Sequence, residues 1–219
     1  YMTEQEILDI YQRADAVWVF DYKGDLKAPH TEIASGLCSD GYVNSPLVMS
    51  DPTNVQILAY WMTRQIEKRN VGKVDWVIGS AYSAITLSFD VARQLGARHS
   101  FVKKDPTNSK KMIWDELVIP GHAEVLQCED VVTTLGTALE VRRAVDEGNP
   151  ETVRWLPDVA TAIRRPVRSQ GGLIDVISLV AKEIQNWKTW KPEECPLCAA
   201  GSPRLRPKQN WAELTGKAA

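Results

Sequence analysis

The sequence predicts an α/β fold in which a central, mainly parallel β-sheet is flanked by helices. Of its 219 residues, 44% are hydrophobic and 25% are charged, which is typical of a globular chain with a buried core. From residue 74 onwards, short apolar segments alternate with amphipathic segments, as in strands joined by crossover helices. No apolar run approaches the roughly 18 residues that a transmembrane helix needs.

The charge balance and the cysteine content exclude several other classes of protein. Lys and Arg total 26 and Asp and Glu total 28, so the net charge is −2. Because nucleic-acid binding needs a strong positive field, we expect no nucleic-acid partner, and we expect no membrane partner either. Four cysteines do not make a disulfide scaffold, and the first residues lack the basic and then apolar pattern of a secretion signal. The expected location is therefore the reducing cytoplasm.

Two amphipathic helices are predicted in the first 70 residues. Residues 3–15 place apolar side chains on one face at helical spacing. Asp51 and Pro52 open the second helix, because aspartate is a good N-cap and proline is favoured at the first helical position. Its predicted buried face consists of Val55, Leu58, Ala59, Met62 and Ile66. Between the helices, residues 20–46 predict loops with one or two short strands.

The rest of the chain is predicted to alternate strand and helix. The predicted strands cover residues 74–78, 100–102, 124–128 and parts of 152–163, and the predicted helices cover residues 84–95, 137–147 and 173–187. Residues 105–118 are polar and predict a long mobile loop. The last 30 residues carry four prolines and a Cys-x-x-Cys pair, and they predict a small irregular appendage with a solvated basic tail at Arg204, Arg206 and Lys208.

One segment, residues 125–137, combines features that suit a phosphorylated sugar. A strand delivers Glu129 and Asp130 at its C-terminal end, which is the edge where ligands bind in an open α/β sheet. The carboxylates can accept hydrogen bonds from sugar hydroxyls. A loop rich in Thr and Gly then opens a helix, whose first N–H groups and dipole suit a phosphate. Within that loop, Gly136 lets the backbone approach a ligand closely.

This segment resembles the phosphoribosyl pyrophosphate (PRPP) signature of type I phosphoribosyltransferases. The shared pattern is an apolar run, two acidic residues, two apolar residues and a Thr/Gly loop, in which Leu135 replaces a frequent glycine. The resemblance implies that Glu129 and Asp130 bind the ribose hydroxyls. It also assigns the following loop to PRPP binding: Val131, Val132, Thr133, Thr134, Leu135, Gly136 and Thr137.

Two further segments resemble the pyrophosphate-binding parts of the orotate branch of this superfamily. Residues 79–87 look like its pyrophosphate loop, in which Tyr82 and Ser83 bound the pocket and a cis peptide bond precedes Tyr82. Lys103 and Lys104 look like its basic pair, which counters the charge of the pyrophosphate. The resemblance thereby implies a catalytic set of Lys104, Asp130 and Lys103, and it adds two loop residues to the PRPP-binding set, Lys110 and Lys111.

The base site is implied by a third match. Residues 34–45 resemble the hood, the N-terminal segment that covers the base in the orotate branch, although Ala34 stands where the hood usually has a lysine. Arg164 is the alternative to Arg165 for the base carboxylate, because the usual Asp-Arg pair is Arg-Arg here. The residues that the resemblance assigns to the base are Tyr42, Val43, Thr133 and Arg165.

The matches run from about residue 30 to residue 203 and end on a Cys-x-x-Cys segment like that of a thermophile-type branch. They imply the type I phosphoribosyltransferase fold, with a small N-terminal hood and a short C-terminal Cys-containing appendage. Three parts are expected: helices and hood in residues 1–70, the PRPP-binding core in residues 71–168, and a C-terminal helix and tail in residues 169–219.

The implied activity is transfer of the phosphoribosyl group of PRPP to orotate, which gives orotidine 5′-phosphate and pyrophosphate for pyrimidine synthesis. The resemblance also implies Mg²⁺ bound with PRPP, and a homodimer in which loop 105–118 reaches the neighbouring site. Two alternatives stay open: transfer to another base, such as a purine, and a PRPP-binding regulatory protein without turnover. A cation for the orotate carboxylate separates transfer to orotate from transfer to another base. An intact basic loop separates an enzyme from a regulatory protein.

The Cys-x-x-Cys pair leaves two interpretations open. Cys195 and Cys198 supply two of the four ligands of a structural zinc site, which a symmetry mate or another residue would complete. The sequence favours the other interpretation, a reduced pair without metal. Three histidines lack the spacing of a metal site or a catalytic triad and are predicted to be structural or solvated: His30, His99 and His122.

Overall fold

The computed structural model describes residues 1–21, 25, 27–108, 111–115, 117–165 and 174–216 of the chain. Within these residues, a five-stranded parallel sheet forms the centre, helices cover its faces, and a smaller sheet joins the two ends of the chain. This is the predicted α/β architecture. None of the helices in the described ranges has the length and apolar character to cross a membrane.

The first 70 residues contain both predicted helices. The elements of this part are α1 (Glu4–Arg13), β1 (Val17–Val19), β2 (His30–Glu32), β3 (Cys38–Ser39), β4 (Gly41–Val43), α2 (Ser45–Met49) and α3 (Pro52–Arg69). A capping box of Thr3 and Glu6 begins α1. The carboxylate of Asp51 accepts the N–H of Thr53 at 2.8 Å and caps α3. The predicted buried face of α3 is confirmed.

The middle of the chain builds the central sheet. Its elements are β5 (Trp76–Gly79), α4 (Ile85–Leu95), β6 (Arg98–Phe101), β7 (Lys103–Lys104), β8 (Met112–Ile113), β9 (Glu124–Val132), α5 (Gly136–Gly148), β10 (Arg154–Arg164) and β11 (Asp175–Val180). The strand order is β11-β10-β9-β5-β6, and all four neighbouring pairs are parallel. The carboxyl ends of these strands therefore meet at one edge of the sheet.

The two faces of the central sheet pack against different helices. Val77 belongs to the apolar cluster with α1, α3 and α4, whereas the next residue, Ile78, belongs to the cluster with α5. Successive side chains of a strand point to opposite faces, and both of these are fully buried. Because helices cover both faces of a parallel sheet, the sequence of each of its central strands is a nearly continuous apolar run.

The predicted final helix over residues 173–187 is wrong. Asp175–Val180 form β11, which pairs in parallel with β10 and extends the central sheet. Val176 and Ile177 are β-branched and favour a strand, and over so short a run apolar residues at helical spacing also fit a strand. Leu173, the first residue of the predicted helix, lies outside the described residues.

The prediction of a loop over residues 105–118 is wrong for its apolar middle. Strand β7 pairs antiparallel with β8 to form a hairpin. Met112 is buried against α5, where the carboxylate of Glu140 accepts its N–H at 2.8 Å and Arg143 donates to its carbonyl at 3.1 Å. Trp114 is buried beside it. Apolar burial therefore holds residues 112–114 on the body of their own chain.

The C-terminal tail is part of a sheet rather than a separate irregular appendage. Its elements are β12 (Thr189–Trp190), a 3₁₀ turn (Pro192–Glu194), α6 (Pro196–Ala199), β13 (Arg204–Leu205) and α7 (Pro207–Thr215). Strands β12, β3, β2 and β13 form one sheet in that order, here called the hood sheet. Two strands from each end of the chain thus combine. The division into residues 1–70, 71–168 and 169–219 stays a prediction. Strand β11 comes from the third of these parts but belongs to the central sheet.

Candidate active site

A pocket of about 250 Å³ lies at the carboxyl edge of the central sheet and is bounded by residues of the hood. This is where ligands bind in open α/β sheets. The predicted site residues that line it are Tyr42, Val43, Ser83, Lys104, Glu129, Asp130, Val131, Thr133, Thr137 and Arg165. A larger cavity of about 690 Å³ is lined by residues that include Asp75 and Trp76 at the start of β5, and none of the predicted site residues lines it.

The acidic pair on β9 has two different environments. Glu129 is only 2% exposed, and its carboxylate accepts hydrogen bonds from the hydroxyl of Ser80 and, at 2.8 Å, from the amide of Gln127. Asp130, the next residue of the strand, is partly exposed. Both residues line the pocket, and Asp130 is the more exposed of the two.

Burial raises the pKa of both acidic residues. Burial raises the pKa of Glu129 to about 7, against the opposing effect of its hydrogen bonds to Ser80 and Gln127. Burial also raises the pKa of Asp130, and the nearby hydroxyl of Ser45, backbone N–H groups and, least of all, the positive charge of Lys208 work against that shift. The ligand-free pocket therefore holds a carboxyl group, that of Glu129, which titrates near neutral pH.

The loop after β9 leads into the N-terminus of α5, as predicted. Thr133 and Thr137 line the pocket. Leu135 precedes the helix and provides no capping hydrogen bond from its side chain, so among the described residues the N–H groups of the first turn have no side-chain cap. Leu135 has a φ of 60°, in the left-handed region that favours glycine, which explains why a glycine is frequent at this place in the signature.

The structure separates the two predicted lysines of β7. Lys104 lines the pocket, whereas Lys103 does not, because adjacent residues of a strand point to opposite sides. The Nζ of Lys103 lies 3.0 Å from a carboxylate oxygen of Asp115. Lys111 lies in the turn between β7 and β8, away from the lining of the pocket. Lys110 lies outside the described residues.

The loop after β5 carries the cis peptide bond that the resemblance implied, between Ala81 and Tyr82. Ser80, Ala81 and Ser83 line the pocket. Tyr82 is 73% exposed and lines a neighbouring cavity of about 520 Å³ instead. The structure thus brings Ser83 to the pocket and places Tyr82 at its side.

On the base side, Arg165 and not Arg164 reaches the pocket. Arg165 is 4% exposed, and its Nη2 donates to the hydroxyl of Ser39 at 2.7 Å. Its guanidinium lies 5.5 Å from the centre of the Trp187 ring. Burial lowers the pKa of Arg165, although a guanidinium stays charged at neutral pH. Arg164 is exposed and borders a separate cavity beside Asp175.

Arg165 has donors to spare for an anionic ligand. A guanidinium carries five N–H donors, and within the described part of the chain Arg165 makes one side-chain hydrogen bond and no ion pair. The carboxylate of Asp40 attracts this guanidinium but forms no direct ion pair with it among the described residues, so the spare donors favour a ligand with a negative charge.

Lys208 and Ser45 line the pocket although sequence reasoning did not assign them to it. Lys208 comes from α7, in the segment that was predicted to be a solvated tail, and it is exposed as predicted while also bordering the pocket. Ser45 is buried, and its hydroxyl has no hydrogen-bond partner among the described residues. The sequence offered only an indirect signal for Lys208. Ala34 stands where the hood usually has a lysine, so a cation from another part of the chain could have been sought for the same pocket.

The comparisons with known proteins agree with this geometry. No family model matches the chain. The orotate phosphoribosyltransferase of Heliobacterium modesticaldum is 31% identical over 206 residues, which cover 94% of this chain and 98% of that protein. The crystal structure of orotate phosphoribosyltransferase from Aeropyrum pernix has a TM-score of 0.58 at 15% identity, over 81% of this chain and 95% of that one. The Mycobacterium tuberculosis orotate phosphoribosyltransferase in complex with inorganic phosphate has a TM-score of 0.56 at 16% identity, with the same coverage.

The fold is that of the type I phosphoribosyltransferases, and the loop from Glu129 to Thr137 occupies the carboxyl edge of its sheet. The 31% identity to the Heliobacterium modesticaldum protein, over nearly the whole of both chains, then identifies the family within this fold class. The chain belongs to the orotate phosphoribosyltransferase family.

Proposed function

We propose that this protein transfers the phosphoribosyl group of PRPP to orotate, giving orotidine 5′-phosphate and pyrophosphate. The observation that supports this best is the pocket itself, which combines the PRPP loop after β9 with the buried guanidinium of Arg165. The first part suits a phosphorylated sugar, and the second suits an anionic base. The relatives named orotate phosphoribosyltransferase support the same assignment.

PRPP binds along the carboxyl ends of β5 and β9 in this proposal. The carboxylate of Asp130 accepts hydrogen bonds from the ribose hydroxyls, with Glu129 behind it. The 5-phosphate lies against Thr133, Thr137 and the uncapped first turn of α5, where N–H groups and the helix dipole favour an anion. The pyrophosphate lies toward Ser83, where Lys104 offsets its charge.

Orotate lies under the hood, beside Tyr42. Its carboxylate pairs with Arg165, which makes two parallel hydrogen bonds that an ammonium group cannot reproduce. The hydrogen bond from Arg165 to Ser39 and the stacking of its guanidinium on Trp187 fix the direction of the remaining donors. A neutral purine offers no carboxylate to the spare donors of Arg165, so the site favours orotate over a purine.

The chemistry is a displacement at C1 of the ribose. The bond from C1 to the pyrophosphate oxygen breaks, its electron pair leaves with pyrophosphate, and a bond to the base nitrogen forms. The protein positions both substrates and stabilises the departing charge with Lys104 and backbone N–H groups. Oxygen donors such as the partly exposed Asp130 suit Mg²⁺, which keeps most of its waters and neutralises pyrophosphate charge when bound with PRPP.

The proposal includes a homodimer in which the turn between β7 and β8 reaches the partner's site. The segment that can reach outward is residues 105–111, since Met112 and Trp114 are buried on the body of their own chain. It also includes a cytoplasmic location, because four cysteines in 219 residues do not make the disulfide scaffold that is typical of secreted proteins.

A base panel tests the proposed function. The protein is incubated with PRPP, Mg²⁺ and one base at a time, namely orotate, uracil, adenine, guanine or hypoxanthine, and pyrophosphate release is followed. We expect release with orotate and little with the other bases. A matched reaction with the Asp130→Asn variant should lose most of it. Turnover with a purine alone would replace orotate as the base, and PRPP binding without turnover on any base would favour the regulatory protein.

A further inference from the structure

A second cluster of chemically capable residues lies in the hood sheet, outside the pocket. His30, Cys38, Cys195 and Cys198 place their ligand atoms within 4.8 Å of one another. The first three are 0%, 0% and 2% exposed, and Cys198 is partly buried. We propose that these four residues bind a structural zinc ion, which ties the N-terminal hood strands to the C-terminal tail.

The distances between the ligand atoms match a tetrahedral zinc site. The Sγ of Cys38 lies 3.6 Å from that of Cys198, and the Nε2 of His30 lies 3.4 Å from Cys198 Sγ and 3.7 Å from Cys195 Sγ. Zinc bonds of about 2.3 Å to sulfur and 2.0–2.1 Å to nitrogen, at tetrahedral angles, place such atoms roughly 3.6–3.8 Å apart. These three distances match that range to within about 0.2 Å, and all the ligand atoms lie within 4.8 Å of one another.

A hydrogen-bond chain fixes the tautomer of His30 that a metal requires. The hydroxyl of Ser202 donates to the carbonyl of Ala28 at 2.6 Å, so it accepts from Nδ1 of His30 at 2.7 Å. The proton of His30 therefore lies on Nδ1, and the lone pair of Nε2 points at the three thiols. Partners of this kind orient the histidine ligands of metal sites.

The backbone around Cys195 has the geometry of a metal-binding turn. Cys195 precedes the short helix α6, and its sulfur accepts the N–H of Cys198 at 3.5 Å. Such a hydrogen bond stabilises a thiolate. Three thiolates and one imidazole fill all four positions of a tetrahedral site, which identifies zinc in a structural role rather than a catalytic one.

The site joins two parts of the chain that are far apart in sequence. His30 and Cys38 belong to β2 and β3, whereas Cys195 and Cys198 flank the start of α6. Cys38 is also the neighbour of Ser39, which holds Arg165. Metal binding at this place stabilises the hood sheet directly, and it does not depend on which base the pocket accepts.

Metal analysis of the purified protein tests the proposal. The protein is prepared without a metal-binding tag and without chelators, and zinc is measured per chain by mass spectrometry. We expect about one zinc ion per chain, and X-ray absorption with three sulfur neighbours at about 2.3 Å and one nitrogen at about 2.0 Å. Cys198→Ser should lose at least nine-tenths of the zinc, whereas the control Cys128→Ala, which removes a buried thiol in β9, should keep it.

A second measurement covers the case in which Cys198→Ser does not fold. Zinc is stripped from the unaltered protein and then titrated back against a chromophoric chelator, while thermal unfolding is followed. Zinc should bind and raise the unfolding temperature, and Mg²⁺ should not. The proposal is overturned by a protein that takes up no zinc, by zinc without sulfur neighbours, by another metal in its place, or by an intact mass that shows a disulfide. A lack of orotate turnover would leave all these readouts unchanged.

Discussion

The two sides of the pocket that we propose for the phosphates and for the base are built in different ways. The phosphate side comes from one continuous segment, Glu129 to Thr137, in which a strand, a loop and a helix N-terminus follow each other. The base side is assembled from Tyr42 and Arg165, which are more than a hundred residues apart in sequence. A contiguous site can be read from a short motif, whereas an assembled site depends on which distant elements the fold brings together.

The largest expected effect tests the pyrophosphate end of the phosphate side. Lys104→Ala should lower kcat by about a hundred- to a thousandfold, the usual cost of removing one donor to a developing negative charge. Lys103→Ala should cost less, because Lys103 pairs with Asp115 and does not line the pocket. Lys73→Ala, at an exposed lysine far from the site, is the control. Steady-state kinetics with saturating PRPP decides, and equal losses in both β7 variants would contradict the separation seen here.

The next effect concerns the buried carboxyl group of Glu129. Its pKa is about 7 in the folded chain and 4.5 ordinarily, so the folded state keeps a proton that the unfolded state loses between these values. Stability should therefore fall as the pH rises from 4.5 to 7. Glu129→Gln removes this loss and should gain about 2–3 kcal/mol over the unaltered protein at pH 8, with little gain at pH 4.5.

Denaturant unfolding of the ligand-free protein at both pH values measures this difference. Glu193→Gln, at an exposed glutamate in the tail, is the control and should show no such trend. A gain for Glu129→Gln that does not vary with pH would mean that the carboxyl group does not titrate in this range. The same variant should also weaken PRPP binding. A gain in stability together with a loss of affinity would distinguish the role of Glu129 in the site from its effect on folding.

Arg165 tests the base side. Arg165→Ala should raise the KM for orotate about ten- to a hundredfold, the value of a charge-assisted hydrogen-bonded pair, and leave the Kd of PRPP near normal. Arg165→Lys should restore part of the loss, because one ammonium group cannot make two parallel hydrogen bonds. Arg164→Ala is the matched control, since Arg164 borders another cavity. A larger effect in Arg164→Ala would reverse the assignment.

Lys208 should have a smaller effect, because it is exposed and its charge is screened by water and salt. Lys208→Ala should raise the KM for PRPP or orotate severalfold at low salt and hardly at all in 0.5 M salt, where the Debye length is only about 4–5 Å. Lys191→Ala, another exposed lysine of the tail, should change neither. An effect of Lys208→Ala that persists at high salt would point to a direct hydrogen bond instead.

The smallest expected effect lies in the phosphate loop. Leu135 adopts a φ of 60°, and such a conformation costs a leucine about 1–2 kcal/mol. Leu135→Gly relieves that cost, but it raises the conformational entropy of the unfolded chain and removes an apolar contact. Because these effects oppose each other, the free energy of unfolding should change by less than about 1 kcal/mol. Leu135→Val should be the more destabilising variant, because a β-branched residue fits this conformation worse. Chemical denaturation of both variants settles the order.

Sequence reasoning succeeded where the signal was local. The cap at Asp51, the strand and helix around Glu129, and the parallel sheet all follow from neighbouring residues. It failed at β11, because Val176 and Ile177 fit a helix and a strand equally well in so short a run. Residues 175–180 form a strand because they pair with the otherwise open edge of β10, and that edge exists only in the assembled sheet.

Contacts between distant parts of the chain were not predicted. The sequence favoured a Cys-x-x-Cys pair without metal and placed His30 in no metal site, yet the fold places His30 against Cys198. Lys208 was predicted to be solvated, and it is exposed, but α7 also brings it to the edge of the pocket. His30 and Cys198 are 168 residues apart, and no spacing rule spans that distance.

The parallel pairing of β13 with β2 also imposes an order of events during protein synthesis. Domains tend to fold as the chain leaves the ribosome, N-terminal parts first. All strands of the central sheet are made before Val180, so that sheet can form while translation continues. Strand β2 has no neighbour on one side until Arg204 emerges, and Trp18 waits for the carbonyl of Leu214, to which its ring N–H donates at 2.9 Å. The nascent chain therefore completes the central sheet, with the loop after β9, before residues 204–214 complete the hood sheet and the contact with Trp18.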